Sequence, residues 1–341
     1  TASVVAGPDG TWTVPNPGLN DGDEVTAVTT DPAGNTSGPA TGVVDALAPT
    51  VALNDVLTND STPPLTGTVS DPTATVVVTV DGVNYPAVNN GDGTWTLADN
   101  TLPVLTDGPH TITVTATDAA GNVGTDTAVV TVDTTAPNVP VIDPVNGTDP
   151  ITGTAEPGST VTVTYPDGST ASVVAGPDGT WTVPNPGLND GDEVTAVTTD
   201  PAGNTSGPAT GVVDALAPTV ALNDVLTNDS TPPLTGTVSD PTATVVVTVD
   251  GVNYPAVNNG DGTWTLADNS LPVLTDGPHT ITVTATDAAG NVGTDTAVVT
   301  VDTTAPNVPV IDPVNGTDPI TGTAEPGSTV TVTYPDGSTA S

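Results

Sequence analysis

The sequence of 341 residues contains no lysine, arginine, cysteine, methionine or phenylalanine. Without lysine there is no phosphate-loop lysine and no Schiff base, and without arginine there is no bidentate phosphate clamp. The absence of both cations excludes a nucleic-acid interface and a basic membrane-surface patch, because each needs positive charge against phosphate. The absence of cysteine excludes disulfides, zinc–thiolate sites and thiol nucleophiles.

The chain is rich in acidic and β-branched residues. Aspartate and glutamate number 40, and the formal net charge is −40. Apolar residues alternate with threonine over 75–80, 111–116 and 160–165, which predicts half-buried antiparallel strands. Turn signals such as Asp81-Gly82 separate these strands at the spacing of a β-sandwich with about seven strands per domain. No run approaches the roughly 20 apolar residues of a membrane-spanning helix, so no direct membrane insertion is expected.

The sequence repeats itself almost perfectly. Residues 1–172 recur as residues 170–341, with a single difference between Thr101 and Ser270. Recurring motifs divide each repeat into a type-1 domain and a type-2 domain. The predicted pieces are 1–45, the C-terminal half of a type-2 domain; 46–133, type-1; 134–214, type-2; 215–302, type-1; and 303–341, the N-terminal half of a type-2 domain.

Neither half-domain can close a two-sheet core by itself. Either the chain is a window on a longer array, or the two halves complement each other end to end between neighbouring molecules. Neighbouring repeats of the same array are therefore the expected partners. The second explanation predicts that the halves pack as one domain between successive chains, with Asp302 and Glu325 meeting Asp31 of the neighbour.

Each complete domain and the N-terminal half-domain carry one tryptophan, which follows Asp-Gly-Thr in a predicted strand. These residues are Trp12, Trp95, Trp181 and Trp264. In a sequence without phenylalanine, one indole supplies much of the bulk of a core, since an aromatic side chain buries roughly 150–250 Å². A surface platform that stacks on sugars is the alternative interpretation.

Four motifs occur in the same order along the chain. They are the Ala-Pro linkers, the stretch GTAEPGSTVTV at 153–163, Asp-Gly-Thr-Trp and Thr-Asp-x-Ala-Gly-Asn. Their combination resembles bacterial immunoglobulin-like repeats, which build giant biofilm-associated adhesins of Gram-negative bacteria. The resemblance implies an all-β tandem array of immunoglobulin-like β-sandwich domains in an elongated rod. It also implies a secreted cell-surface stalk for cell adhesion and biofilm formation, exported by type I secretion, with calcium at the domain junctions and the adhesive ligand bound outside this segment.

The acidic residues support calcium independently of the resemblance. Calcium prefers several carboxylate and carbonyl oxygens, and in an immunoglobulin-type topology the N-terminus, the B–C loop and the F–G loop share one end. Asp45, Asp71 and Asp118 occupy those three places in the first type-1 domain. The corresponding sets are Asp133, Glu156 and Asp200; Asp214, Asp240 and Asp287; and the divided set Asp302, Glu325 and Asp31.

Other interpretations of these polar residues stay open. The same aspartates are typical turn formers and strand-end caps. The asparagines at 35, 122, 204 and 291 either add a side-chain oxygen to the ion or form a left-handed turn after glycine. A second acidic group, Asp190-Gly191-Asp192-Glu193, is either a calcium contributor from the opposite pole or a solvated turn, because it lacks the glycine and distal glutamate of an EF-hand.

The residues do not favour catalysis. His110 and His279 lie one repeat apart, so no domain has two histidines. Paired carboxylates of a glycoside hydrolase would need a cleft with aromatic subsites, and aromatic residues make up 2% of the chain. The leading hypothesis is a non-enzymatic stalk that calcium stiffens. The alternative is that the repeats themselves bind a glycan or associate between cells.

Overall fold

A computed structural model describes all residues from 1 to 341, and it confirms the all-β prediction: the chain forms 29 strands and no helix. It therefore has no helix long and apolar enough to cross a membrane. The chain divides into two compact units. One comprises Thr1–Ile142, Thr152–Val183 and Thr195–Thr210, and the other comprises Asp143–Ile151, Pro184–Val194 and Gly211–Ser341.

The N-terminal segment, residues 1–45, contains one antiparallel pair of strands, β1 (Glu24–Ala27) and β2 (Ala40–Val43). The first type-1 domain follows with eight strands, one more than the seven predicted. They are β3 (Val51–Leu53), β4 (Val56–Thr58), β5 (Leu65–Val69), β6 (Thr75–Val80), β7 (Val83–Asn89), β8 (Thr94–Leu97), β9 (Gly108–Thr117) and β10 (Val123–Val132).

The eight strands are hydrogen-bonded in the order β3-β5-β8-β7-β6-β9-β10-β4. Strand β7 joins two layers, because its first part pairs with β6 and its last two residues pair with β8. The first strand of the sandwich is split: β3 pairs with β5, whereas β4 pairs in parallel with β10 on the other layer. The Asp126 carboxylate accepts the Leu53 N–H at 2.9 Å, and the Asp55 carboxylate accepts the Val129 N–H at 2.8 Å, so these acids satisfy backbone donors at the crossing. This split accounts for the additional strand.

The core of this domain lies between the layers and is centred on Trp95, which is 0% exposed. The indole lies over Gly67, its partner on β5, and donates a hydrogen bond from Nε1 to the Ala52 carbonyl at 3.2 Å. A Cβ at position 67 would lie 2.6 Å from Trp95 Nε1 and 1.9 Å from the Ala52 oxygen. Only glycine allows the indole and the backbone to approach this closely.

The predicted alternation and turns are confirmed in the same domain. On β6 the buried residues are Val76, Val78 and Val80, and Val77 and Thr79 between them are only partly buried. Strands β6 and β7 are joined by Asp81-Gly82, whose φ angles are 49° and 79°. Two positive φ angles in a two-residue loop match the twist of a β-hairpin, which is why Asp-Gly is favoured there.

The type-2 domain, residues 134–214, forms a three-stranded sheet in the order β11-β12-β15 and a four-stranded sheet in the order β14-β13-β16-β17. Its seven strands match the predicted number. They are β11 (Val141–Ile142), β12 (Ile151–Thr154), β13 (Thr160–Thr164), β14 (Thr170–Val174), β15 (Thr180–Val183), β16 (Glu193–Thr199) and β17 (Ala209–Val212).

The second type-1 domain, residues 215–302, repeats the topology of the first with the order β18-β20-β23-β22-β21-β24-β25-β19. Its strands are β18 (Val220–Leu222), β19 (Val225–Thr227), β20 (Leu234–Val238), β21 (Thr244–Val249), β22 (Val252–Asn258), β23 (Thr263–Leu266), β24 (Gly277–Thr286) and β25 (Val292–Val301). The C-terminal segment, residues 303–341, forms two short pairs. They are β26 (Val310–Ile311) with β27 (Gly322–Thr323), and β28 (Val332–Thr333) with β29 (Thr339–Ala340).

Candidate functional site at the domain junctions

The β9–β10 loop of the first type-1 domain is closed by its own aspartate. The two Asp118 carboxylate oxygens accept the backbone N–H and the side-chain Nδ2 of Asn122, both at 2.8 Å. The side-chain hydrogen bond from Asn122 is the main cause that lowers the pKa of Asp118 below its ordinary value. The left-handed residue of the loop is Gly121, with a φ of 93°, and Asn122 does not share it. The proposal that the asparagine forms the left-handed turn is therefore wrong.

Asn122 has a second partner across the domain junction. Its Nδ2 also donates to the main-chain carbonyl of Asp45, at 3.0 Å. The equivalent bonds run from Asn204 to the Asp133 carbonyl at 2.6 Å and from Asn291 to the Asp214 carbonyl at 2.7 Å. We call Asn122, Asn204 and Asn291 the downstream asparagines. Each one ties the linker before a domain to that domain's own loop.

The preceding domain holds the same linkers through a carboxylate. The Asp107 carboxylate accepts the Thr134 N–H at 3.1 Å and its hydroxyl at 2.8 Å, and these bonds lower the pKa of Asp107. The Asp190 carboxylate accepts the Ala215 N–H at 3.1 Å. We call the four residues with this role the upstream aspartates. They are Asp21, Asp107, Asp190 and Asp276.

The group Asp190–Glu193 thus has a structural role at the far pole of the type-2 domain. Besides the bond from Asp190 to the linker, the Asp192 carboxylate accepts the Asn189 N–H at 2.8 Å, and Gly191 donates its N–H to the Val213 carbonyl at 2.8 Å. The group forms a turn that is hydrogen-bonded to the linker that follows the type-2 domain. This agrees with the turn interpretation of that sequence.

Loops of adjacent domains also contact each other directly. The Asn59 N–H donates to the Ala202 carbonyl at 3.1 Å, which joins the first type-1 domain to the type-2 domain. At the next junction, Asn146 Nδ2 donates to the Ala289 carbonyl at 2.9 Å. Asn146 is 6% exposed, so this bond is sheltered from water. In both junctions the acceptor lies in the loop that carries the downstream asparagine.

The predicted metal ligands lie at the expected loops, but each is engaged in a local turn. The Asp45 carboxylate accepts the Leu47 N–H at 3.2 Å, and the Asp71 carboxylate accepts the N–H and hydroxyl of Thr73, both at 2.8 Å. Asp214 and Asp240 repeat these contacts with Leu216 and Thr242. The turn-forming interpretation is therefore correct for these residues, and it leaves the other carboxylate oxygens available.

The members of one predicted set share a common depression. In the second type-1 domain, Asp214, Asp240 and Asp287 line one open depression of about 400 Å³. No group of three or more acidic or histidine side chains is already gathered at metal-binding distances anywhere in the chain. The calcium sites stay a prediction.

The type-2 set is less uniform than the type-1 sets. The Asp133 carboxylate accepts the Thr135 N–H at 3.0 Å, whereas Glu156 is exposed and contributes its main-chain carbonyl to a turn with Ser159. Asp200 is 7% exposed. Desolvation raises the pKa of Asp200, but hydrogen bonds from Asn204 and nearby backbone N–H groups outweigh it and lower the net pKa.

The divided set lies in the two terminal segments. The Asp31 carboxylate is exposed and accepts the Asn35 N–H and Nδ2, both at 2.8 Å. The Asp302 carboxylate accepts the Thr304 N–H at 3.1 Å, and the main-chain carbonyl of Glu325 accepts the Ser328 hydroxyl at 2.8 Å. The meeting of this set between two molecules stays a prediction.

The tryptophans of the complete domains lie in the core, which is the first of their two predicted roles. Trp95, Trp181 and Trp264 are at most 3% exposed, so none offers a face to a sugar. His110 is half-buried and its Nε2 lies 2.7 Å from the Thr106 carbonyl, and His279 repeats this contact with Thr275.

Sequence reasoning identified the junction loops and missed what their polar groups do. The downstream asparagines reach a carbonyl about one domain length away, and the upstream aspartates reach a linker N–H. The available signal was that an aspartate and an asparagine recur at these places in both domain types, although the two types differ in most other residues. In a chain without lysine or arginine, carboxylates have only N–H and O–H donors to bind.

Family comparisons agree with this architecture. The bacterial Ig-like domain family matches residues 48–134 and 217–303, and the bacterial Ig domain family matches residues 136–214. The chain belongs to the bacterial immunoglobulin-like domains. The family covers more than half of the chain in tandem copies, which confirms the immunoglobulin-like resemblance drawn from the motifs.

Several solved structures are similar to this bacterial Ig-like chain. A tetra-tandem repeat from the extending region of a large adhesion protein is 30% identical, with 82% of this chain and 81% of that chain covered and a TM-score of 0.26. A Ca²⁺-stabilized adhesin of an Antarctic bacterium is 22% identical over the same shares, with a TM-score of 0.28. The BSP domain of a biofilm-associated protein is 14% identical, covers 76% and 67%, and has a TM-score of 0.24. Curated proteins give no match.

Proposed function

We propose that this chain is a spacer: a non-enzymatic run of repeats that holds an adhesive region, located elsewhere, away from a bacterial cell surface. The observation that carries the proposal is the double attachment of the three linkers at Asp45, Asp133 and Asp214. An upstream aspartate holds the linker to the domain before it, and a downstream asparagine holds it to the domain after it. Short linkers tied on both sides limit bending at each junction, which is what a spacer requires.

The repetition of surfaces favours a spacer over a binding module. Residues 1–172 and 170–341 differ at one position, so any surface in one copy recurs in the other. The indoles of the complete domains are buried, and the sugar-binding alternative loses its aromatic platform there. The depression in the second type-1 domain is open and has no aromatic side chain in its lining, so it offers no platform on which a sugar could stack.

Calcium at the junctions is part of the proposal. Support comes from the three carboxylates around the depression of the second type-1 domain and from a net charge of −40 with no lysine or arginine to offset it. Asp214, Asp240 and Asp287 offer hard oxygen ligands of the kind calcium prefers. When bound, the ion supplies positive charge between the linker and the two loops. The carboxylates have to be drawn together for this, because they are not gathered as a coordination group.

Cell-surface location and type I secretion complete the proposal. A chain without cysteine needs no disulfide chemistry outside the cell, and the bacterial Ig-like family fits an extracellular array of this kind. Roles in cell adhesion and biofilm formation follow from the same proposal. They require that the adhesive ligand be bound by another part of the full protein.

Removal of one repeat tests the spacer role. Deletion of residues 134–302 joins residue 133 to residue 303 and keeps the natural sequence at the joint. Both arrays are displayed on a cell surface with a tag at the free end. We expect the tag of the deleted array to be less accessible to bead-bound antibody than the tag of the undeleted array, while free antibody binds both equally well. The control is the undeleted array with the same tag. Specific binding of glycans by the isolated chain, or equal bead capture by both arrays, would contradict the spacer role.

Metal counting with small-angle scattering tests calcium separately. We expect one ion for each complete acidic set, a larger maximum dimension and a higher melting temperature with calcium than with chelator, because ion binding stabilises the native state. Asp287→Asn should lose one ion. Asp250→Asn is the matched control, since Asp250 is exposed at a hairpin tip where asparagine also accepts the φ of 50°. No bound calcium and no change on chelation would reject calcium and leave the spacer role standing.

A further inference from the structure

An asparagine followed by glycine is a chemically reactive pair. The glycine nitrogen has no side chain beside it, so it can attack the asparagine Cγ and expel ammonia. Such pairs occur at Asn90-Gly91, Asn146-Gly147, Asn259-Gly260 and Asn315-Gly316. The attack requires Cγ and the next nitrogen to meet in a productive geometry. The fold around each pair therefore decides how fast it reacts.

The side-chain amide of Asn146 has all its hydrogen-bonding groups engaged. Its Oδ1 accepts the N–H groups of Thr148 at 2.9 Å and Asp149 at 2.7 Å. Its Nδ2 donates to the Asp149 carboxylate at 2.6 Å and to the Ala289 carbonyl of the next domain at 2.9 Å. These four bonds use both donors and both lone pairs of the amide. They hold Cγ in place, so attack by Gly147 requires that the amide first leave its partners.

The second type-1 domain covers this amide. Asn146 is 6% exposed, and a Cβ built at Gly290 would lie 3.5 Å from Asn146 Nδ2. Ala289 and Gly290 belong to the loop that also carries the downstream asparagine Asn291. Separation of this loop from the type-2 domain removes one partner of the amide and admits water to it.

The pairs in the type-1 hairpins lack such a cover. Asn90 lies between β7 and β8, and Asn259 lies between β22 and β23; both are exposed. Their Nδ2 atoms donate only to the hydroxyls of Thr94 and Thr263 in the same hairpins, both at 2.9 Å. No other domain has to move before these amides can turn. They provide the reference rate for an uncovered pair within the same chain.

We propose that Asn146-Gly147 is a self-modification site that the closed junction protects and that opening of the junction activates. In the open state the Gly147 nitrogen bonds to Asn146 Cγ, the Cγ–Nδ2 bond breaks, and ammonia leaves with the proton of the Gly147 N–H. A water molecule then opens the five-membered ring at either carbonyl and leaves aspartate or isoaspartate. The step needs no reactant besides water.

The product does not restore the junction. A carboxylate accepts hydrogen bonds but cannot donate one, so the bond to the Ala289 carbonyl is lost. The new charge also faces the Asp149 carboxylate, which accepted the amide at 2.6 Å. Like charges at this distance repel each other. One opening that lasts long enough for the reaction thus leaves a permanent change at the junction. The inference depends neither on the spacer role nor on calcium.

Mass spectrometry of the 341-residue chain after incubation at mildly alkaline pH tests the protection. Cleavage after Glu193 first separates Asn90 and Asn146 from their repeats at 259 and 315, and a second digestion then isolates each pair. In the folded chain, Asn146 should react roughly tenfold more slowly than Asn90, which corresponds to about 1.4 kcal/mol of opening free energy. In urea the two pairs should react at similar rates.

Gly290→Val should accelerate the reaction of Asn146, because the added side chain points at its amide. Gly121→Val is the matched control. Gly121 is the equivalent residue of the first type-1 domain and has a similar φ, 93° against 89°, but nothing lies within 4 Å of its Cβ. This control should leave Asn146 protected, and circular dichroism checks that both variants are folded. Equal rates of Asn146 and Asn90 in the folded wild type, protection that persists in Gly290→Val, or equal acceleration by Gly121→Val would overturn the proposal.

Asn146→Asp imitates the product and tests the lasting change. Because the chain has no cysteine, labels can be placed on Glu193→Cys and Val273→Cys, both exposed. Asn146→Asp should broaden the distribution of distances between the labels, whereas Asn90→Asp adds the same charge on an exposed hairpin and should not. An unchanged distribution in Asn146→Asp would show that the product still closes the junction, and the proposed lasting change would be wrong.

Discussion

The type-2 sequence occurs once as a complete domain and once as two separate halves, so the same residues can be compared in two settings. Residues 180–183 form β15 in the complete domain, whereas the identical residues 11–14 form no strand. Strand β13 has five residues, and its counterpart β28 has two. Trp181 is buried and Trp12 is half exposed.

The turns are the same in the complete domain and in the separate halves. The Thr11 hydroxyl donates to the Asp9 carboxylate at 2.8 Å, and Thr180 makes the same bond to Asp178 at 2.8 Å. The Asp31–Asn35 loop and the Asp200–Asn204 loop also share their hydrogen bonds. Turns depend on neighbouring residues, whereas strands and the core depend on partners far along the chain.

The largest difference between the two settings should follow removal of the indole. Trp181→Ala is expected to lower the stability of the type-2 domain by about 3–5 kcal/mol, because it leaves a cavity in a packed core. Trp12→Ala should leave the unfolding of the complete domains unchanged, because Trp12 is 53% exposed and lies outside their cores. Urea unfolding followed by circular dichroism measures both. Equal effects of the two substitutions would mean that Trp12 already has a core around it.

The next effect concerns the downstream asparagines. Asn204→Ala removes donors from the Asp133 carbonyl and from the Asp200 carboxylate, which is 7% exposed. Buried acceptors left without donors should cost about 1–3 kcal/mol. Asn35→Ala acts on the exposed Asp31, and an exposed change of this kind should stay within about 0.5 kcal/mol. Thermal unfolding in chelator compares the two. A larger loss for Asn35→Ala would contradict the linker role of Asn204.

A smaller effect separates the two domain types. Trp95 Nε1 donates to the Ala52 carbonyl, whereas the buried Nε1 of Trp181 has no partner. Both indoles lose similar volume on substitution by phenylalanine, but only Trp95→Phe also loses a hydrogen bond. Trp95→Phe should therefore cost about 1 kcal/mol more than Trp181→Phe. Urea midpoints of the two variants give the difference, and a larger cost at Trp181 would reverse the assignment.

The smallest effect is on acid titration. Hydrogen bonds from Asn122 and Asn35 lower the pKa of Asp118 and of Asp31 below the ordinary value of an aspartate, although only Asp118 belongs to a complete domain. A lowered folded-state pKa gives stability that is present above the unfolded value and is lost as the pH falls through the folded value. The loss of stability should therefore be complete only after the pH has fallen through the lowered folded-state pKa of each carboxyl group. Carbon NMR of the carboxyl groups measures it, and an ordinary pKa for Asp31 alone would show that its loop needs the complete domain.

The sequence was sufficient for features that depend on short-range patterns. Alternation in β6, the Asp81-Gly82 hairpin and the burial of Trp95 were all predictable from residue type and spacing. The split between β3 and β4 was not, because it depends on bonds from Asp126 and Asp55 to strands more than 70 residues away.

The candidate site shows the same limit. Its loops were placed correctly by topology, and the turn roles of Asp71 and Asp240 follow from aspartate chemistry. The bond of Asn122 to the Asp45 carbonyl spans 77 residues and carries no local signal. The sequence was enough to predict that carboxylates lie near one pole of each domain. Which N–H groups they bind could be seen only in the folded structure.

The carboxylates of this chain bind N–H and O–H groups, and the absence of lysine and arginine has a consequence for ionic strength. In most proteins, added sodium chloride screens attractive and repulsive charge pairs alike, and the two effects offset each other. This chain has 40 acidic residues and no lysine or arginine partner for them, so screening acts almost entirely on repulsion. Its folded state should thus gain stability as sodium chloride rises from dilute buffer to about 1 M, where the screening length is about 3 Å.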